Sequence, residues 1–300
     1  LLCGSAPERR GRRRVITFST PGDLNGTAVL RAIVLLSYFA SLVSRNGAEG
    51  VDPLGRLTPP SAEHWFGTED FGRDLCVRVA LAVRVSLSVG AAVAVRAGVT
   101  GMIVGLLCAW YRPVDRILMR VCDGLFAFPS LLLAIAIVGV LGPNIANVVL
   151  ALSLVYVPSV ARVIRGAAMV IKEKNFIEAL RAQGAGASRI IWLHLLPNVI
   201  SPFIVQVSWV LSVAILTEAA LSFLGSGVPA PMPSLGNLLL EGKAVIFTAW
   251  WMTFFPGIAI VLLILGLNII GDDLRDSADP GLNPLPRRVL RLLKQGGRHG

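Results

Sequence analysis

Residues 165–198 read RGAAMVIKEKNFIEALRAQGAGASRIIWLHLLPN and stand between apolar blocks at 146–164 and 199–224. Lys172 to Gln183 is a run of good helix formers with a mixed polar face. Gly184 and Gly186 break that helix, and a glycine there permits a C-terminal cap or sharp turn with a left-handed backbone. A second helical stretch is expected from about Ala187 to Pro197, next to the following apolar block. The segment is therefore expected to be a helix–turn–helix element between two long apolar blocks. An ordinary solvated loop would also suit the composition. Most connections are shorter, however, and one this structured points to docking on a partner.

Outward from this segment, six apolar blocks run along the chain, at roughly 27–43, 85–111, 117–141, 146–164, 199–224 and 252–271. Each is close to or above the ~20 helical residues that cross a ~30 Å hydrocarbon core. The first is the shortest and carries Arg31 near its start, where the side chain can snorkel. Barrel strands would be short and alternating, so helices are the expected spanning elements. The bulk figures agree: 54% hydrophobic, 15% charged, mean hydropathy +0.70. The net charge of +10 falls between the apolar blocks, which suits lipid headgroups. No basic patch with interleaved aromatics is present to suggest nucleic acid.

The Lys and Arg distribution orients the chain. Arg9, Arg10, Arg12, Arg13 and Arg14 precede the first block. Arg112, Arg116 and Arg120 lie between or just beyond the second and third. Arg162, Arg165, Lys172, Lys174, Arg181 and Arg189 mark the 165–198 connection, and Arg275, Arg287, Arg288, Arg291, Lys294 and Arg298 follow the last block. With six spans all these fall on one side, twenty against the six of Arg45, Arg56, Arg73, Arg78, Arg84 and Lys243. Both termini are therefore expected to be cytoplasmic. The expected organisation is a basic cytoplasmic segment 1–26, a first span 27–43, an external segment 44–84, a five-helix core 85–271 containing the 165–198 loop, and a cytoplasmic tail 272–300. The basic N-terminal run reads as an anchor of the first span, not a signal peptide. A second external segment, 225–251, has prolines near its start, with a short amphipathic helix expected after them.

Several chemistries find no support. None of Cys3, Cys76, Cys108 and Cys122 forms a CxxC pair, and His64, His194 and His299 make no HExxH, so no metal site is expected. Gly236 to Gly242-Lys243 mimics a phosphate-binding loop, but it has five intervening residues and Ala244 where a Ser or Thr would hold magnesium. No catalytic residue is assigned. The informative charges lie inside spans, where burial costs several kcal/mol unless they are paired or hydrated. These are Arg96, Asp123 and Glu218, candidates for a translocation path or an intramembrane ion pair. Gly101 and Gly105, four apart, permit close helix approach, either within the chain or to another subunit.

The 165–198 segment also resembles the signature of bacterial ABC importer permeases: Glu-Ala-Ala, three residues, Gly, nine residues, Ile, one residue, Leu-Pro. Here Glu178-Ala179-Leu180, Gly184, His194 and Leu196-Pro197 keep that spacing, with Leu180 replacing the second Ala and His194 replacing Ile. PPSAEHWFGTEDFGRDL (59–75), LFAFPSLLLAIAIVGVLGP (125–143), ILTEAALSFLGSGVPAP (215–231) and GDDLRDSADP (271–280) are similar to segments of dipeptide/oligopeptide importer permeases of the C type. The resemblance covers about residues 51–281.

It implies an all-α, six-helix type I importer permease in the bacterial cytoplasmic membrane, with the signature loop docking on an ATPase subunit. It also implies a homologous permease as heterodimer partner, two ATPase subunits that carry ATP and Mg, an extracytoplasmic substrate-binding protein, surrounding lipid, and no cofactor in this chain. Nickel chelates, glutathione or haem are the alternative substrates, because the binding protein selects the ligand. A polytopic membrane enzyme would need a nucleophile and a base within spans, but His194 is expected to be cytoplasmic and His64 external. A free-standing channel would leave the structured loop without a role.

Overall fold

The computed structural model describes residues 52–278. The first apolar block at 27–43, the basic segment before it and most of the C-terminal tail lie outside the described residues. Among the described residues a 3₁₀ turn at Pro53–Gly55 precedes eight helices: α1 (Leu75–Trp110), α2 (Arg112–Phe126), α3 (Ser130–Leu141), α4 (Ile145–Lys172), α5 (Asn175–Ala182), α6 (Ala187–Phe223), α7 (Leu235–Ala244) and α8 (Trp251–Ala278). Among the described residues no strand is formed beyond an isolated antiparallel bridge between Thr68 and Asp74. Helices α1, α4, α6 and α8 are each long and apolar enough to cross a membrane.

Three expectations change in detail. The second span begins at Leu75, ten residues before the apolar block, because Asp74 caps it by accepting from the Cys76 and Val77 N–H groups (2.8 and 3.4 Å). The block at 117–141 is two helices, α2 and α3, bent by 95°. Pro129 has no N–H to continue the helix, and its ring disfavours a helical Phe128. Ala127 instead closes α2 on the Asp123 and Gly124 carbonyls. Finally, the stretch from Ala187 does not stop at Pro197. It runs on as one 37-residue helix, with a π-helical turn at Ile191–Leu195. Pro197 is tolerated because it sits in the first turn after that π segment. At 1.5 Å per residue α6 is about 55 Å long, well beyond the ~30 Å hydrocarbon core.

Helix α1 packs along α4 through the glycine pair. A Cβ on Gly101 would lie 2.6 Å from Val160 Cβ, and one on Gly105 would lie 2.7 Å from the Ala161 carbonyl oxygen. The small residues therefore serve contact within the chain. Around this seam one apolar core joins Leu106, Leu152, Val160, Ile164, Val199 and Leu221. A second cluster lies at the other end of the bundle, where Leu75, Val79, Leu235, Leu238, Trp251 and Leu263 meet.

The segment 52–74 folds over this second cluster. Trp251 donates its indole N–H to the Thr68 carbonyl (3.2 Å), and Phe66 stacks on Phe255 at 4.0 Å. Buried Glu69 accepts from Arg73 and from Arg78 Nε (3.0 Å). Burial pushes the nearby Glu241 carboxyl up, and Glu69 adds repulsion that Arg78 partly offsets. The short helix expected within 225–251 is α7, capped by Ser234, which accepts from the Asn237 N–H (3.2 Å).

Candidate functional site

Lys172 ends α4, and after a two-residue break the chain re-enters helix as α5. One face of α5 is apolar and turned inward: Ile177 is fully buried, and Leu180 packs on the same core as Ile190, Ile191 and Leu195. The larger side chain of Leu180, where the signature has Ala, is thus absorbed by packing. The opposite face presents Glu178 and Ala179. Glu178 lies in the first turn, where a carboxylate is favoured by the helix dipole.

The turn after α5 is a Schellman cap. Gly184 has φ +79°, its N–H donates to the Arg181 carbonyl (2.9 Å), and the Ala185 N–H reaches back to Leu180 (3.0 Å). A side chain at Gly184 would meet open space, so only the backbone angle demands glycine. His194 is half-buried within the π turn, and its carbonyl accepts from Asn198 Nδ2 (2.7 Å). Leu196 is half-buried and Pro197 exposed. Glu178, Ala179 and Gly184 thus share an exposed edge, whereas Leu180, His194 and Leu196 support it from within.

The sequence reading missed what holds this element in place. Lys172 Nζ donates to the Ala109 and Trp110 carbonyls (2.7 and 3.2 Å), capping the C-terminal end of α1. The Arg181 guanidinium lies 4.6 Å from the Trp110 ring centroid, with Lys172 at 5.3 Å. Arg165 makes a bidentate pair with Asp115 of α2 (2.5 and 2.7 Å). A cavity of about 480 Å³ opens between these groups, lined by Arg112, Asp115, Lys172, Glu178 and Arg181 among others. The only signal in the sequence was the local density of Lys and Arg, which names no partners.

The three intramembrane candidates do not come together. Arg96 is exposed on α1 and makes no ion pair among the described residues. Asp123 accepts from Arg162 Nη2 of α4 (2.9 Å), and that guanidinium also lies over Phe126. Glu218 is fully buried. Its oxygens accept from Ser86 of α1 and Ser222 of α6, both at 2.7 Å, and Ser234 supplies a third hydroxyl. Ser222 in turn accepts from the Val228 N–H (3.1 Å). Glu218 therefore ties α1, α6, the following turn and α7 together through hydroxyls.

The family described as "Binding-protein-dependent transport system inner membrane component" matches residues 101–284. A putative peptide transport system permease protein of Brucella suis is 44% identical over 86% of this chain and 87% of its own length. A dipeptide transport system permease protein of Alkalihalophilus pseudofirmus is 43% identical, covering 85% and 84%. A glutathione transport system permease protein of Pectobacterium atrosepticum is 38% identical, covering 83% and 84%. A structure of the inward-facing methionine ABC transporter MetNI aligns with a TM-score of 0.55 and 19% identity over 66% of this chain and 94% of that one. It shares the fold. Family match, identity and fold agree, and the chain belongs to the binding-protein-dependent inner-membrane permeases of ABC importers.

Proposed function

We propose that this chain is one permease of a peptide importer, working beside a homologous permease. Two ATPase subunits carry ATP and Mg and hydrolyse the nucleotide, and an external binding protein delivers the substrate. The chain itself performs no bond chemistry. The observation that carries this reading is the continuity of the α5–turn–α6 element: the exposed edge at Glu178 and Gly184 leads directly into a 37-residue helix that crosses the bundle. A displacement of the ATPase subunits against that edge becomes a displacement of α6. The contacts of Lys172, Arg181 and Arg165 carry the same displacement into α1 and α2. The identity to peptide and dipeptide permeases supports a peptide substrate.

Glutathione, itself a short peptide, is the second reading, favoured by the 38% identical glutathione permease. The test is transport by the full importer in proteoliposomes, with dialanine and glutathione as separate solutes. Uptake of dialanine together with substrate-stimulated ATP hydrolysis supports the first reading. Uptake of glutathione alone supports the second, and uptake of neither rejects both.

A further inference from the structure

Helices α6 and α8 enclose a groove of about 430 Å³ whose lining is polar along one line. That size falls in the roughly 300–1,000 Å³ range of small-ligand sites. Ser208 and Ser212 are one turn apart on α6, and Asn268 and Asp272 are one turn apart on α8, with Arg275 three residues beyond. The two lines face each other, since a Cβ on Gly271 would lie 3.5 Å from Ser208 Cβ. The serines satisfy their own protons: Ser208 donates to the Ile204 carbonyl (2.9 Å) and Ser212 to the Ser208 carbonyl (3.4 Å). Ser208 is partly exposed to the groove, and Ser212 lies buried beneath it.

Asn268 is different. It is exposed, it lies about 26 Å along α8 from Trp251, and its side chain has no hydrogen-bond partner among the described residues. An amide facing hydrocarbon without a partner is unfavourable, so this face meets water or a polar solute. At the groove's end Asp272 and Arg275 are exposed and form no ion pair among the described residues. A serine hydroxyl and an amide that lead to one acid and one base make a surface without net charge. It can meet both ends of a zwitterion.

We infer that this groove is the chain's wall of the translocation path, taking a short zwitterionic peptide. Asn268 serves the peptide backbone, and Asp272 and Arg275 meet its ammonium and carboxylate at the mouth. This rests on the peptide reading above. It adds that the α6 wall belongs to the same helix that begins at the coupling turn, so a shift of the turn passed through the π-helical segment moves Ser208 relative to Asn268.

The experiment uses the full importer in inside-out vesicles, with Cys3, Cys76, Cys108 and Cys122 replaced. Single cysteines go to Ser208, Asn268 and, for comparison, Val261, an exposed position on α8 outside the groove. A charged thiol reagent that cannot cross the bilayer should label Ser208→Cys and Asn268→Cys, spare Val261→Cys, and stop transport only in the first two. Dialanine should slow the labelling. Asn268→Leu should lower transport about tenfold, the loss of one hydrogen bond, while Asn268→Ser lowers it less. Labelling of neither groove cysteine, with or without trapped nucleotide, would overturn the inference. Labelling that stops transport but is slowed by glutathione and not by dialanine would keep the path and reject the dipeptide substrate.

Discussion

The Arg181 guanidinium of α5 lies 4.6 Å from the ring centroid of Trp110, the last residue of α1. The pair joins α5 to the helix that packs along both α4 and α6. Cation–π contacts at such sites contribute about 0.5–1 kcal/mol or more. Trp110→Ala should therefore leave an inserted permease with loosened coupling: the transport-to-hydrolysis ratio falls several-fold, and Trp110→Phe keeps most of it. The check is paired measurement of uptake and ATP hydrolysis in proteoliposomes. An unchanged ratio in Trp110→Ala would remove this contact from the coupling route.

Gly184 is required for its backbone angle and not for space. Gly184→Ala adds a methyl group that meets nothing, yet places an L-residue at φ +79°, a cost of about 1–2 kcal/mol. We expect weakened ATPase docking with normal membrane insertion, and a milder effect from Gly184→Asn, which tolerates this region better. Glu178→Lys, on the exposed face, should bring the same phenotype by reversing charge where the helix dipole favours an anion. Co-purification of the ATPase subunits measures both; wild-type yields and transport would refute them.

Glu218 holds a different joint. Glu218→Gln keeps one acceptor oxygen for a serine hydroxyl and turns the other into an NH2 that can donate to the second, so its thermal unfolding in detergent should be much nearer wild type than that of an apolar variant. Glu218→Leu strands buried hydroxyls, at about 1–3 kcal/mol for each, and should unfold clearly earlier. Equal stability of the Leu variant and wild type would show that the hydroxyls find other partners.

The Lys and Arg asymmetry predicts that 165–198 is cytoplasmic and 225–251 external. Ser188 and Phe247 are both exposed, whereas Ser234 is buried as the cap of α7 and is a poor probe. In intact cells an impermeant thiol reagent should label Phe247→Cys and not Ser188→Cys. The reverse pattern would invert the topology.

The sequence by itself determined what depends on near neighbours. Five of its six apolar blocks fall on described helices, because span length follows from composition and the 1.5 Å rise. The turn at Gly184 was legible because a Schellman cap is written within six residues, from Leu180 to Ala185. The spacing from Glu178 to Pro197 carried the family for the same reason. Tertiary structure alone decided the rest. It assigned the glycine pair of α1 to Val160 and Ala161, and it gave Glu218 the hydroxyl of Ser86, 132 positions away. It also set Arg181 on Trp110 and brought Asn268 and Ser208 to the lining of one groove. Each of these joins residues far apart in the chain, and a partner at that distance is chosen by how helices cross, which no local run of residues encodes.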